Sequence, residues 1–600
     1  MLSSKHLTIK AKALLVWLAV LILGGLATNG WQVLRLAART VQIETQAFLS
    51  TLSATVILAY VASAILLWLI WQRPSSRLAK SLIGCVFCAV LVGGYLTKRA
   101  DYAIFDLSAD TWYHLAVIRR VATFGLHASP YYPDVGYDFS LYHIVLGLIS
   151  KQGVDPILLW RNLLWVSTPL MLASFFLLSF RIVQETRTAF LSMILAGIGF
   201  GFGWAGSITP GFGIQFSNYP WQIAISFLFL TMFFVLSRGE NSHRDTYLAS
   251  ICAALVLCSH IAVGILLAES LAAYLLAFGD IRRVLKVVCG AIALSSPWLL
   301  VYFSLTIPRY LQVSRAPSYP LYDIGGLSFW LLRSDFLLLA LSFLGILLYS
   351  FWFFKDRITT ARLYCLISFL AVGTTILVPP IAGLMIILTG NVVLLRSSVL
   401  MLCPILSAEL LTCGSDRVLS FLEGRGIGAR TKTVSGLLHR SVRPGLTLIF
   451  LLIIMVSQLA PKIHFYSLTG SDLEEAQSLG LDISKFREQI SGSVVLSDPT
   501  TSVLLSYFSD ATSPLLVHAE GTVRSEGNLK SILSQFSDAE QTFSALVQLN
   551  CSFVFVNLRS NNTAIRSWYE GRTEIKFKSS PKFSLLYEKN DVYLFRIGAT

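Results

Sequence analysis

The chain has 600 residues, of which 55% are hydrophobic and 13% charged, and its 47 Lys+Arg against 33 Asp+Glu give a net charge of +14. A soluble protein carries about 25% charged residues, so that class is excluded, and the abundance of large apolar side chains excludes disordered and collagen-like classes too. What remains is a polytopic membrane protein, and the meaning of the surplus positive charge depends on where it lies.

A spanning helix needs roughly 20 mainly apolar residues. Such runs predict about thirteen spans, near 12–28, 48–71, 80–97, 157–180, 188–206, 220–237, 246–259, 261–278, 287–306, 335–354, 362–379, 397–413 and 446–461. The first follows Lys5, Lys10 and Lys12, the pattern of an uncleaved signal anchor. The run from Tyr247 to Phe278 is too long for one span and is divided at Ser259-His260. The stretch 380–395 is broken by Gly383, Gly390 and Asn391, which suits a partial or re-entrant helix packed within protein.

With the N-terminus inside, the cytoplasmic segments hold 22 basic and seven acidic residues, a net of +15, and the rest of the chain nets −1. No inside loop is then net negative and all but the neutral 238–245 are net positive, in keeping with the positive-inside rule, and the hairpin division at His260 is needed for that result. The charge is therefore a topological label and points to no nucleic-acid partner. It sets four regions: transmembrane helices in 1–97, a large outer loop in 98–156, a transmembrane core in 157–461 and a soluble extracytoplasmic domain in 462–600.

The tail reads as a small α/β domain. Ser493–Ser497 is a short buried strand, Thr501–Phe508 a helix, Leu515–His518 a strand, Ala539–Leu549 a helix and Ser552–Val556 a third strand. Phe583–Tyr587 and Val592–Ile597 alternate around Lys589-Asn590-Asp591 as a hairpin does. Eight of the nine cysteines lie in apolar spans and only Cys551 in the tail, so no disulfide forms within that domain. Cys85 and Cys88 read as small packed residues one turn apart within a span.

The outer loop carries the most chemistry. If 109–124 is helical, Asp110 and His114 share one face, while Leu115, Ile118, Val121 and Ala122 recur beside Trp112 and Phe124, as in a helix lying along the membrane surface. A carboxylate and an imidazole one turn apart suit a general base with its partner, or two ligands of a divalent metal. An Asp at a helix start is equally at home as a cap. His260, between two spans, is either an intramembrane functional histidine or a turn histidine bonded to a carbonyl. Arg396 opens a span beside the re-entrant stretch, placed to bind a lipid phosphate or to snorkel. Arg309 and Arg315 supply positive charge to an outer loop rich in tyrosine, which suits either a cover over a lipid-linked sugar or interfacial anchoring.

Asp110-Thr111-Trp112-Tyr113-His114, followed by Pro130-Tyr131-Tyr132-Pro133 and by Gly136 to His143, resembles the first external loop of the C-type (GT-C) glycosyltransferase superfamily. Its D-x-x-Y-H is similar to that of archaeal oligosaccharyltransferase catalytic subunits. The layout is similar too: many spans, a catalytic first loop and an outer C-terminal domain.

The resemblance implies an inverting sugar transfer from a polyprenyl-phosphate carrier to an acceptor outside the cytoplasmic membrane. Asp110 would be the catalytic carboxylate and His114 its assistant or a phosphate ligand, with Tyr142, His143, His260, Arg309, Arg315 and Arg396 binding substrate. The chain departs from the oligosaccharyltransferase pattern in three ways. Residues 207–219 hold no Asp or Glu where a second acidic motif is expected, no Trp-Trp pair occurs, and two extra spans precede the loop. These departures argue against peptide N-glycosylation and leave a divalent metal at Asp110 and His114 without its usual partners. A transporter or flippase built on Glu269 and Glu409, and a non-catalytic envelope scaffold, are the rival readings. Sugar, acceptor and oligomeric state are left open.

Overall fold

The computed structural model describes residues 111–125, 140–198, 220–237, 242–301, 344–355, 357–377, 402–424, 472–514, 526–560, 563–569 and 571–598. The first two described helices, α1 (Thr111–Phe124) and α2 (Leu141–Lys151), pack against each other. A helical body follows as α3 (Pro156–Val183), α4 (Thr186–Ile198), α5 (Pro220–Leu236), α6 (Ser242–Ser259), α7 (Ile261–Phe278), α8 (Ile281–Val301), α9 (Leu344–Phe354), α10 (Thr360–Leu377) and α11 (Cys403–Gly424). Four of the predicted spans (12–28, 48–71, 80–97 and 446–461) and the re-entrant stretch 380–395 lie outside the described residues. Among those described, Ile281–Leu300 is the one helix long and apolar enough to cross a membrane by itself, and shorter apolar helices accompany it.

The helix boundaries have local causes. Asp155 caps α3, its Oδ1 accepting from the Ile157 amide at 2.9 Å, and Pro156 occupies the first turn, where no amide is needed. Gln184 stops that helix in the left-handed conformation (φ 58°). The division predicted at Ser259-His260 is present: α6 ends at Ser259, His260 is extended, and its carbonyl starts α7 by accepting from Val263 and Gly264 at 3.0 and 3.3 Å. Gly279 closes α7 with φ 68°.

The body core joins Leu172, Phe175, Phe229, Met232, Tyr274, Tyr349, Ile367 and Leu406 from six helices. At one end of it, Arg362 on α10 grips Glu409 on α11 with Nε at 2.9 Å and Nη2 at 2.6 Å from Oε1. Arg362 Nη2 also reaches the Val183 carbonyl at 3.3 Å, and its guanidinium lies 5.3 Å over the Trp352 ring.

In the tail, α12 (Asp472–Ser484), β1 (Val495–Leu496), α13 (Pro499–Ser509), α14 (Ala539–Gln548), β2 (Phe553–Asn557), α15 (Thr573–Ser579), β3 (Phe583–Lys589) and β4 (Val592–Ile597) build a four-stranded mixed sheet with its helices. The sheet order is β1-β2-β4-β3, with β1 and β2 parallel and the other pairs antiparallel. Lys589 pairs with Val592, so Asn590 and Asp591 alone turn the hairpin, both with positive φ (48° and 60°), as a type I′ turn demands. The strand predicted at Leu515–His518 lies outside the described residues. Cys551 is buried, with its thiol directed at the Leu549 carbonyl.

The tail does not stand apart from the loop. A single hydrophobic core runs from Trp112, Leu115 and Ile118 of α1 through Tyr142, Leu146 and Trp160 into Leu504, Val554 and Phe595 of the tail. Thr111 to Ile118 are all buried. The apolar stripe read from the sequence is there, but the polar side of α1 is covered as well, because α13 lies on it. A helix with one open face was expected, and the tail closes that face.

Gly147 sets the approach of α2 to α1. A Cβ there would lie 2.5 Å from Val121 Cγ1 and 3.2 Å from the Ile118 carbonyl oxygen. Overpacking costs about 1–3 kcal/mol, whereas alanine gains about 1 kcal/mol in helix propensity over glycine. Sterics should win, since a β-branched valine has little rotamer freedom with which to yield. Gly147→Ala is expected to lower the unfolding temperature in detergent, and an unchanged or raised midpoint would show that α1 and α2 separate without cost.

Candidate active site

Ser140 starts α2 and caps it: its Oγ accepts from the His143 amide at 3.4 Å, and the His143 ring answers by accepting from the Ser140 amide, also at 3.4 Å. This is a capping box in which histidine occupies the place usually held by Glu or Gln. It fixes the His143 ring over the helix start, 1% exposed, and there its Nε2 meets Nδ1 of His114 on α1 at 2.8 Å. His114 is 6% exposed. Its ring stacks on Trp160 of α3, with centroids 5.7 Å apart and planes 18° apart. Tyr142 sets its ring edge-on to both His143 and Trp160, and Tyr113 stands edge-on to His114. Three consecutive helices thus hold two bonded imidazoles within a wall of aromatic rings.

Of the residues singled out from sequence, His114, Tyr142 and His143 come together here. Asp110 is the residue immediately before the first described residue of α1, and Asp110, Arg309, Arg315 and Arg396 lie outside the described residues. His260 sits at the turn between α6 and α7, on a different element. Among the described residues no three His, Cys, Asp or Glu side chains gather as a metal would require.

Sequence reading missed the support behind this cluster. Asp510 ends α13 in the left-handed conformation (φ 60°) and is 2% exposed. Its Oδ2 lies 2.6 Å from Arg487 and its Oδ1 3.4 Å from Arg119 of α1, while its carbonyl accepts from Arg120 Nη1 at 2.8 Å. Arg120 also reaches the Ala511 carbonyl at 3.2 Å. Tyr507 on α13 packs edge-on to Trp112 at 5.7 Å, lies beneath the Arg119 guanidinium and donates to Asp155, the cap of α3, at 3.4 Å. Burial, and then the Asp155 carboxylate beside it, push the Tyr507 phenol above its ordinary range, so it stays a proton donor. One signal was available: Arg119-Arg120 is a basic pair in an otherwise apolar helix that has no acid of its own, which asks for a carboxylate from elsewhere.

No protein-family model matches the sequence, and no curated protein matches it. Solved structures do. The apo oligosaccharyltransferase of Archaeoglobus fulgidus superposes with a TM-score of 0.52 at 14% identity, over 88% of this chain and 75% of that one. The same organism's oligosaccharyltransferase AglB, in complex with an inhibitory peptide and a dolichol-phosphate, gives 0.50 at 14% identity over 86% and 74%. The arabinofuranosyltransferase AftD from Mycobacteria gives 0.54 at 12% identity, over 88% of this chain and 40% of that one. Over most of its length, the chain has the fold of the C-type membrane glycosyltransferases.

Proposed function

We propose that this chain transfers a sugar from a polyprenyl-phosphate carrier to an acceptor on the outer face of the cytoplasmic membrane. The observation that carries the reading is the buried His114–His143 pair and its aromatic wall, directly beyond Asp110 in a fold shared with two membrane glycosyltransferases. That one of these was solved with a dolichol-phosphate supports a lipid-phosphate donor.

In the proposed reaction Asp110 takes the proton of the acceptor hydroxyl, and the oxygen attacks the anomeric carbon as the bond from that carbon to the phosphate oxygen breaks. The sugar is inverted, and the carrier departs as its phosphate with the bonding electron pair. His114 donates a hydrogen bond where negative charge gathers, and a site walled by Trp160, Tyr142 and Tyr113 excludes water, which strengthens that interaction. Arg309, Arg315, Arg396 and His260 are assigned to the carrier and its sugar. The transporter reading loses one of its two mid-span acids, because Glu409 is held by Arg362.

Asp110→Asn in the full-length protein is expected to lower transfer from a labelled polyprenyl-phosphate sugar by about 10²–10⁴-fold, the usual contribution of a general base. Full activity in that variant would remove Asp110 from the mechanism. Counterflow of the lipid-linked sugar in proteoliposomes, with no transfer by the wild type, would replace the reading with transport.

A further inference from the structure

The two bonded histidines carry more information than their proximity. A neutral imidazole has one N–H and one bare nitrogen, so two of them in a 2.8 Å contact must agree on which donates. The far side of His143 decides it. Its Nδ1 faces two groups of Ser140: the backbone amide at 3.4 Å, which can only donate, and the hydroxyl at 2.9 Å, which can. Nδ1 of His143 is therefore the acceptor. The proton of His143 is left on Nε2 and is donated to Nδ1 of His114, so His114 carries its own proton on Nε2.

We propose that Ser140 and His143 are positioning residues that lock His114 in its Nε2–H tautomer, making the reactive-side nitrogen of His114 a hydrogen-bond donor and not a base. The assignment rests on the transferase reading only for its consequence: within that site the base is left to Asp110, and His114 faces an oxyanion, the phosphate of the carrier. The stack of His114 on Trp160 holds the ring plane, and the capping box holds its partner, so neither ring is free to turn over. No acid of α1 or α2 faces the pair, since both helices lack one.

Nitrogen NMR of histidine-labelled full-length protein in detergent, without substrate, reads the tautomer directly. His114 should show a bare Nδ1 and a protonated Nε2, and the opposite pattern would overturn the proposal whatever the enzyme does. His143→Leu should release the tautomer and lower kcat by about 10–100-fold, the usual cost of losing the group that orients a reactive histidine. The KM for the lipid-linked sugar should stay within about threefold. His143→Gln, whose amide can donate to the same Nδ1, should recover most of that loss. An unchanged kcat in the leucine variant, or no recovery with glutamine, would refute a positioning role. Should Asp110→Asn prove fully active, the transferase site falls while the NMR result stands on its own.

Discussion

Asp510→Ala is expected to detach the loop helix α1 from the tail and to lower transfer by more than tenfold. Two effects add. The carboxylate lies between Arg119 and Arg487, and its loss leaves two guanidinium groups facing each other. Both arginines are partly exposed, which reduces the value of the pairs to about 1–3 kcal/mol, below the range for buried pairs. Asp510 also sits at φ 60°, where alanine costs about 1–2 kcal/mol and Asp or Asn is tolerated. Asp510→Asn separates the effects: it keeps the backbone and removes only the charge, so it should lose about half as much. Amide exchange over 111–124 is the direct measurement. Protection there should fall in both variants while that of α10 and α11 is unchanged. Unaltered exchange in the alanine variant would show that the latch does not hold α1.

The second large effect is expected at the other end of the molecule. Glu409→Leu strands the Arg362 guanidinium among α3, α10 and α11, and breaking one side of a buried pair costs about 3–5 kcal/mol. Glu409 is the more buried partner, at 4% side-chain exposure. The double variant Arg362→Leu/Glu409→Leu should be more stable than the single Glu409→Leu, because removing both charges of such a pair is often nearly neutral. Thermal unfolding in detergent checks both. A double variant as unstable as the sum of its singles would mean that the two residues do not act as a pair.

Much of this was legible in the sequence, and the exceptions have physical reasons. The turn at His260 was found because the run 247–278 is too long for one span, with charge balance in support, and the hairpin because its strands alternate around Lys589-Asn590-Asp591, the last two of which take positive φ. The starts of α3 and α13 are announced by Asp155-Pro156 and Asp498-Pro499, a cap followed by a proline that needs no donor. His114 and His143 were each singled out, yet nothing in a one-dimensional pattern says that two histidines 29 residues apart share a proton. The capping box did the work unseen, because histidine in its last position is not the residue by which that motif is recognised. Asp510 was missed for a related reason: a carboxylate after a helix reads as an ordinary stop until the fold brings Arg119, Arg120 and Arg487 around it.

The contact between Arg120 and the Asp510 carbonyl spans 390 residues of sequence. At about 5–20 residues per second, a ribosome needs roughly 20–80 s to bridge that interval. During that time α1 has been made without the surface that covers it. The helical body can be made and packed in that interval, and the core beside the histidine pair closes only when the tail arrives. A chain stopped anywhere within the body would therefore leave Trp112, Tyr142 and Trp160 without the tail residues that complete their core.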